Sequence, residues 1–160
     1  MGIKVAIQGI QGSFHHQVAH RYFGEAIGLD ECVTFRDVAN SLKNNQSDKA
    51  IMAIENSIAG AILPNYALID SYDLHIIGEH FLDIHMNLMV LPGQTIEDIK
   101  EVHSHPIALL QCANFFSQYP HIKLVESSDT AITAKRIQEN QLRGIGALAG
   151  PVASEIYNLE

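Results

Sequence analysis

Polar side chains follow a strongly apolar run of the sequence at the point where a strand should end. Glu55, Asn56 and Ser57 come directly after the run 49–54, and Gly60 stands shortly behind them. Open α/β sheets bind ligands at the carboxyl ends of their strands. A carboxylate there is an acid or an acceptor, and an amide and a hydroxyl bind polar groups. Two interpretations of Glu55 stay open: a general acid whose pKa is raised by burial, or a structural acceptor.

A second group lies in the segment 104–112, between a predicted strand and a helix that opens with proline. Ser104 precedes this helix as a cap, and Gln111 stands two turns further along on the same side. We therefore expect both side chains to face one ligand, with an ordinary cap and an exposed glutamine as the alternative. Cys112 and His105 are spaced as a conceivable dyad, but Cys112 falls on the apolar helix face, which favours burial.

The third group is the turn Gly9-Ile-Gln-Gly12-Ser13, between a predicted strand and a predicted helix. Backbone N–H groups and the positive end of a helix dipole in such a turn attract an anion. The spacing is neither that of GxGxxG nor that of a P-loop. A tight turn with a capping serine is the alternative interpretation.

The composition excludes several classes of protein. The 160 residues are 47% hydrophobic and carry a formal charge of −8. This charge argues against nucleic acid and against an anionic membrane surface as partners, because both need a basic face. No apolar run reaches the roughly 20 residues that span a bilayer, and the N-terminus shows no signal peptide. We expect a cytoplasmic protein whose two cysteines are free thiols.

The nine histidines do not make a convincing metal site. His103 with His105, and the set His75, His80 and His85, have no cysteine or paired carboxylate at ligand spacing. A serine triad is also unsupported, because the sequence has no Gly-x-Ser-x-Gly elbow. We therefore predict no metal.

The elements that position these groups alternate between strand and helix, which indicates parallel sheets covered by helices. Strands are predicted at 3–7, 33–35, 49–54, 74–78, 81–91, 99–103, 122–125 and 145–148. Helices are predicted at 14–23, 37–44, 62–71, 106–116, 127–140 (capped by Ser127 or Ser128) and 151–157. The expected lobes are residues 1–80 and 81–160, and ligands favour a cleft between two such lobes.

In their order, these segments resemble the catalytic domain of the prephenate dehydratase family. The opening turn, continued by Phe14 and His15, is similar to the family's Gly-x-x-Gly-Thr-Phe-Ser, with Ser13 for Thr and His15 for Ser. Residues 53–60 are similar to its Glu-Asn-Ser segment, and residues 104–112 to its Ser-His-Pro-x-Ala-x-x-Gln-Cys signature. Further similar stretches are Gly78-Glu79, Ile84-His85-x-Asn87-Leu88, Asp129-Thr130-Ala131, Gly146-Ala147-Leu148-Ala149 and Ile156-Tyr157-x-Leu159.

The resemblance implies two α/β lobes like those of type II periplasmic binding proteins, with the substrate in the cleft between them. It implies a lyase that converts prephenate to phenylpyruvate, water and carbon dioxide in phenylalanine biosynthesis. The resemblance implies no metal or organic cofactor. It implies a homodimer or a larger homo-oligomer. An arogenate dehydratase, and a non-catalytic module that binds a small carboxylate, are the alternatives.

The resemblance also implies roles for individual residues. The catalytic roles fall on Glu55, Asn56, Ser104 and Gln111. Substrate contacts fall on Gly12, Ser13, Phe14, Ser57, Gly60, His85, Asn87, His105 and Ala147.

Two features of the family lie outside these 160 residues. Family chains return to the first lobe with a Thr-Arg-Phe segment, whose threonine is central to catalysis, and they usually carry an ACT domain that senses phenylalanine. Neither is found between residues 1 and 160. We therefore expect this stretch by itself to be weakly active or inactive.

Overall fold

The structure, a computed structural model, describes residues 2–58 and 60–160. It is an α/β protein, which confirms the predicted class. Its chain divides into two compact units, Met1–Ile10 with Phe14–Asp83 and Gln11–Ser13 with Ile84–Glu160. Ala59, inside the segment 53–60, lies outside the described residues.

The first unit is built around a parallel sheet with the strand order β2-β1-β3. Val5 and Ile7 of β1 are buried with Ala19 in its core, because a central parallel strand is covered on both faces. The elements in chain order are β1 Lys4–Gln8, α1 Phe14–Phe23, β2 Gly28–Cys32, α2 Phe35–Lys43, β3 Lys49–Ala50, β4 Glu55–Asn56, β5 Gly60–Ala61 and α3 Leu63–Ser71. Strands β4 and β5 form a separate antiparallel ribbon.

Three predicted strands of this unit are wrong or shortened. The segment 33–35 is no strand, because Thr34 makes a capping box with Asp37 and starts α2. The run 49–54 is a strand only at Lys49–Ala50, and it is half-buried rather than covered on both faces. The run 74–78 forms no strand at all. An apolar run becomes a strand only where a neighbouring backbone lies beside it to accept and donate its hydrogen bonds.

The second unit contains a four-stranded sheet with the order β6-β9-β7-β8. Strands β7, β8 and β9 are parallel, and β6 is antiparallel to β9. The elements are β6 Asn87–Met89, a short 3₁₀ turn Ile96–Asp98, β7 Glu101–Ser104, α4 Pro106–Gln111, α5 Ala113–Phe116, β8 Lys123–Glu126, α6 Thr130–Glu139, β9 Ile145–Ala149 and α7 Pro151–Tyr157. Its core contains Val90, Ile99, Val102, Leu109, Phe116, Ile122 and Leu148.

This unit also corrects the sequence prediction. The long strand 81–91 is reduced to Asn87–Met89, and Phe81 is 86% exposed. The helix 106–116 is interrupted at Cys112, whose N–H donates to carbonyls of the preceding turn. Helix α6 begins at Thr130 rather than at 127, because the carboxylate of Asp129 caps it. Among the described residues, no helix has the length and apolar character that a membrane crossing requires.

A carboxylate network joins four segments of the first unit. Asp30 on β2 accepts hydrogen bonds from the hydroxyls of Ser41 (2.5 Å) and Ser47 (3.0 Å). The ammonium of Lys4 lies 3.3 Å from its other oxygen. The Ser41 hydrogen bond is the largest of the effects that lower the pKa of Asp30. Both serines are buried, and their hydroxyls also lie 2.9 Å from each other, so the network satisfies two buried polar groups.

We expect Ser41→Ala to lower the free energy of unfolding by about 1–2 kcal/mol at neutral pH, because the Asp30 carboxylate loses its shortest hydrogen bond. Because folding lowers the Asp30 pKa, its stabilisation is present above the ordinary value of 3.8. This stabilisation is lost as the pH falls through the lowered pKa that Asp30 has in the folded protein. Urea unfolding at pH 7 and at several acid pH values measures both effects. Ser71→Ala, at an exposed serine with a 3.4 Å hydrogen bond, is the control, and an equal loss there would contradict the prediction.

Candidate functional site

The carboxyl edge of the parallel strands in the second unit collects several of the predicted residues. Strands β7, β8 and β9 end side by side at this edge, and helices α4, α6 and α7 begin there. Asn87 pairs with Ala149, the last residue of β9, because β6 runs antiparallel. Ser104 is the last residue of β7, and His105 follows it. The edge therefore carries Asn87, Ser104 and His105, with His85 two residues before Asn87.

Ser104 is fully buried and joins two strands at this edge. Its hydroxyl donates to the Leu148 carbonyl at 2.7 Å, and its own carbonyl accepts from the Ser127 N–H at 2.8 Å. The hydroxyl hydrogen is thus bound within the protein, and only oxygen lone pairs are left for a ligand. Ser104 holds the loop, which differs from the expected helix cap.

The cap of α4 is His105. Its Nδ1 atom accepts a hydrogen bond from the Ile107 N–H at 3.3 Å. A neutral imidazole that accepts at Nδ1 carries its proton on Nε2. Because the His105 side chain is exposed, the loop presents an N–H donor at the edge of the sheet.

Asp129 is a buried carboxylate at the same edge that the sequence analysis did not select as a site residue. Its Oδ1 atom accepts from the N–H groups of Ala131 (2.8 Å) and Ile132 (3.1 Å). Burial raises the pKa of Asp129, while these two hydrogen bonds and the nearby His105 act in the opposite direction. The available signal was an aspartate in the first turn of the helix predicted at 127–140, where a capping residue is common. Its carboxylate occupies the N-terminus of α6, where a ligand anion would otherwise bind.

The turn residues Gln11–Ser13 group with the second unit. The Tyr157 hydroxyl donates to the Gln11 carbonyl at 2.6 Å. Gly12 has φ = 89°, and a Cβ atom there would lie 3.2 Å from both the Ala153 Cα and the Tyr157 Cε2. Glycine is required at this position by both its conformation and the close approach of α7. Ser13 is buried.

Three further residues that the sequence analysis discussed, all in the second unit, are Gln111, Ala147 and Cys112. Gln111 is the half-buried last residue of α4, about 7.5 Å along the axis from Pro106 at 1.5 Å per residue. It is thus at the far end of α4 from His105. Ala147 is wholly buried within β9, paired with His103 and Met89. Cys112 packs against the core, and burial raises the pKa of its thiol.

The Glu-Asn-Ser segment belongs to the first unit and forms the β4–β5 ribbon. Glu55 is exposed, which differs from the buried position considered for a general acid. The side-chain oxygen of Asn56 accepts from the Ile58 N–H at 2.9 Å, which is an Asx turn. Ser57 is exposed, and Gly60 pairs with Asn56 at φ = 75°. Phe14, also in this unit, is the first residue of α1.

His15 stands where the family's opening segment has serine. Its ring lies edge-to-face against Phe35 with centroids 5.3 Å apart. Burial lowers the pKa of His15 to about 4, against the opposing effect of a hydrogen bond to the Gln8 backbone. The imidazole is therefore uncharged at neutral pH and contributes no positive charge for binding an anion.

Within residues 2–58 and 60–160, no three histidine, cysteine, aspartate or glutamate side chains are grouped as a metal ion requires. Both cysteines are unpaired and half-buried. The second unit instead brings the His105 and Asn87 side chains, which carry N–H donors, and the buried Asp129 carboxylate to one sheet edge.

The sequence model described as prephenate dehydratase matches residues 5–160. The bifunctional chorismate mutase/prephenate dehydratase of Buchnera aphidicola subsp. Acyrthosiphon pisum is 35% identical over 95% of this chain and 40% of its own length. Arogenate dehydratase 2 of Petunia hybrida is 36% identical over 98% of this chain and 39% of its own length. The chain spans about two fifths of these relatives.

Solved structures have the same fold. A prephenate dehydratase from Arthrobacter aurescens in complex with L-Phe has a TM-score of 0.86 and 25% identity, over 96% of this chain and 52% of that one. A structure described as a quorum quenching acylase has a TM-score of 0.85 and 28% identity, over 98% of this chain and 57% of that one. Because differently named activities share this fold, the reaction must be argued from the residues.

We expect Ser104→Ala to lower the free energy of unfolding by about 1–3 kcal/mol, because the Leu148 carbonyl loses a buried hydrogen bond. Ser117→Ala is the matched control, since its exposed hydroxyl also donates to a carbonyl at 2.7 Å. Its effect should stay within about 0.5 kcal/mol. Urea unfolding followed by circular dichroism measures both, and equal losses would show that Ser104 does not hold the loop.

Proposed function

Because this chain belongs to the prephenate dehydratase family, we propose that its protein converts prephenate into phenylpyruvate, water and carbon dioxide. The observation that supports this most directly is the loop 104–106 of the second unit. The hydrogen bonds of Ser104 to β9 and to Ser127, two residues before the α6 cap, hold His105 at the carboxyl edge of the sheet. The family's most specific motif therefore forms a fixed donor site.

The reaction defines what such a site must do. The bond between the ring and its carboxylate breaks, and that electron pair enters the ring as carbon dioxide leaves. The bond between the ring and its hydroxyl then breaks, and the hydroxyl takes up one proton to leave as water. The second carboxylate stays in the product. The protein must bind two carboxylates and deliver one proton, and acid assistance of this kind is typically worth about 10²–10⁴-fold.

At the starts of helices α4 and α6 in the second unit, the usual backbone N–H donors for a carboxylate are missing or already bound. Pro106 has no N–H, the Ile107 N–H is bound to His105, and Asp129 occupies the start of α6. We assign the substrate contacts of this unit to the His105 Nε2–H, the Asn87 amide and the turn Gly12–Ser13. Neutral donors suit an acidic chain, because oriented dipoles bind an anion without added cations.

The other residues keep the roles that the resemblance implies, as parts of the same proposal. Ser104 positions His105 and offers a lone pair. Catalytic roles remain assigned to Glu55, Asn56 and Gln111, and substrate contacts to Phe14, Ser57, Gly60, His85 and Ala147. We place the protein in the cytoplasm, in phenylalanine biosynthesis, as a homodimer or larger homo-oligomer. No metal or organic cofactor enters the proposal.

Arogenate is the second candidate substrate, because the Petunia hybrida relative is named an arogenate dehydratase. Arogenate carries an ammonium group where prephenate has a keto oxygen. An enzyme selective for it needs an acceptor or a carboxylate at that position, and one selective for prephenate needs a donor. Both substrates carry the two carboxylates to which the donors at the sheet edge are assigned, so these donors do not decide between prephenate and arogenate.

A complete version of this protein should form phenylpyruvate from prephenate without added metal, and a chelator should leave the rate unchanged. The reason is that the proposed chemistry requires positioned donors and one proton only. Product formation with prephenate and with arogenate, each with and without chelator, measures this. Tight binding of a carboxylate without turnover would instead support the non-catalytic binding module, and loss of the rate with chelator would contradict the metal-free mechanism.

His105→Asn should reduce kcat/KM for prephenate by about ten- to a hundred-fold, because a hydrogen bond to a charged group is worth about 1.5–3 kcal/mol. Asparagine retains an N-cap acceptor for α4, so the stability should change little. His121→Asn, at another exposed histidine of the same unit, is the control and should be neutral. Unchanged kinetics in the His105 variant would remove this residue from the site.

A further inference from the structure

The turn Gln11–Ser13 is held from outside its own stretch of chain. Ile10 before it and Phe14 after it group with the first unit, whereas Gln11–Ser13 group with the second. The three residues belong to no helix or strand. Within the second unit, Gln11 and Gly12 contact helix α7, and these contacts bear on the direction of their backbone N–H and C=O groups.

Tyr157 makes the most direct of the contacts found. Its hydroxyl donates to the Gln11 carbonyl at 2.6 Å. Its ring edge lies 3.2 Å from the position that a Cβ atom of Gly12 would take, and Ala153, one turn earlier on α7, lies equally close. The carbonyl of Gln11 belongs to the same peptide group as the N–H of Gly12, and this group is planar. The Tyr157 hydroxyl thus fixes the orientation of that N–H.

Tyr157 is itself firmly positioned. It is the last residue of α7 and is buried. Beyond it, Asn158 takes a left-handed conformation, and Leu159 donates back to the Ser154 carbonyl at 3.0 Å. The next residue, Glu160, exchanges backbone hydrogen bonds of 2.8 and 2.9 Å with Val90. The turn is therefore connected to the core of the second unit through a short, rigid path.

We propose that Tyr157 is a positioning residue, which holds Gly12 and Ser13 in the conformation that binds a carboxylate of the substrate. This inference rests on the proposed function, because it needs the turn to contact prephenate. Tyr157 does not touch the reacting atoms. It acts on binding, since preorganised donors bind an anion without the cost of ordering the turn at each encounter.

The test is Tyr157→Phe, which removes the hydroxyl and keeps the ring that packs on Gly12. We expect the KM for prephenate to rise about ten-fold, because a hydrogen bond near 1.4 kcal/mol corresponds to that factor, while kcat changes less than two-fold. Amide hydrogen exchange at Gly12 and Ser13 should become faster, and exchange in β9 should stay the same. Tyr119→Phe is the matched control, at a half-buried tyrosine that packs on the core of the same unit.

The two readouts separate the possible failures. Unchanged exchange at Gly12 and Ser13 overturns the inference, whatever the kinetics show. Faster exchange with an unchanged KM also overturns it, because the turn would then be held by Tyr157 without binding the substrate. Wild-type protein that neither binds nor converts prephenate refutes the proposed function, whereas the exchange measurement still tests the hold of Tyr157 on the turn.

Discussion

The pairing of β7 with β9 is the constraint on which the second unit depends. It places Ser104 beside Leu148, and the Ser104 hydroxyl completes the pairing with a buried hydrogen bond of 2.7 Å. The loop after β7 is thereby fixed relative to α7, which begins directly after β9. A slip of one residue in this register would exchange the two faces of the strand and would turn Ser104 away from the edge.

The dianionic substrate proposed for this acidic chain has to be bound by local dipoles. With a formal charge of −8, long-range attraction works against such a ligand. Two helix N-termini of the second unit offer less to an anion. Asp129 occupies the N-terminus of α6, and Pro106 removes an N–H donor from the N-terminus of α4. His15, which is uncharged because burial lowers its pKa to about 4, adds no cation. Of the proposed donors, His105 and the turn Gln11–Ser13 are held by neighbouring hydrogen bonds.

The sequence was sufficient where the information is local. The predicted helices 14–23 and 151–157 coincide with α1 and α7, because apolar spacing and a proline at the first turn act within a few residues. The alternation of strands and helices likewise determined the α/β class, and the order of the motifs indicated the family. The strands predicted at 74–78 and over the whole of 81–91 were wrong. A β-strand needs a partner strand, and the sequence does not show where that partner lies.

The tertiary structure alone decided how the site residues are used. Residue type and position selected Ser104 and His105, but only the fold showed that the first donates to β9 and that the second caps α4. The exposure of Glu55, the burial of Asp129 and the contact of Tyr157 with Gln11, 146 residues apart, were equally invisible in the sequence. Hydrogen-bond partners and burial depend on distance in space, and separation along the chain does not predict that distance.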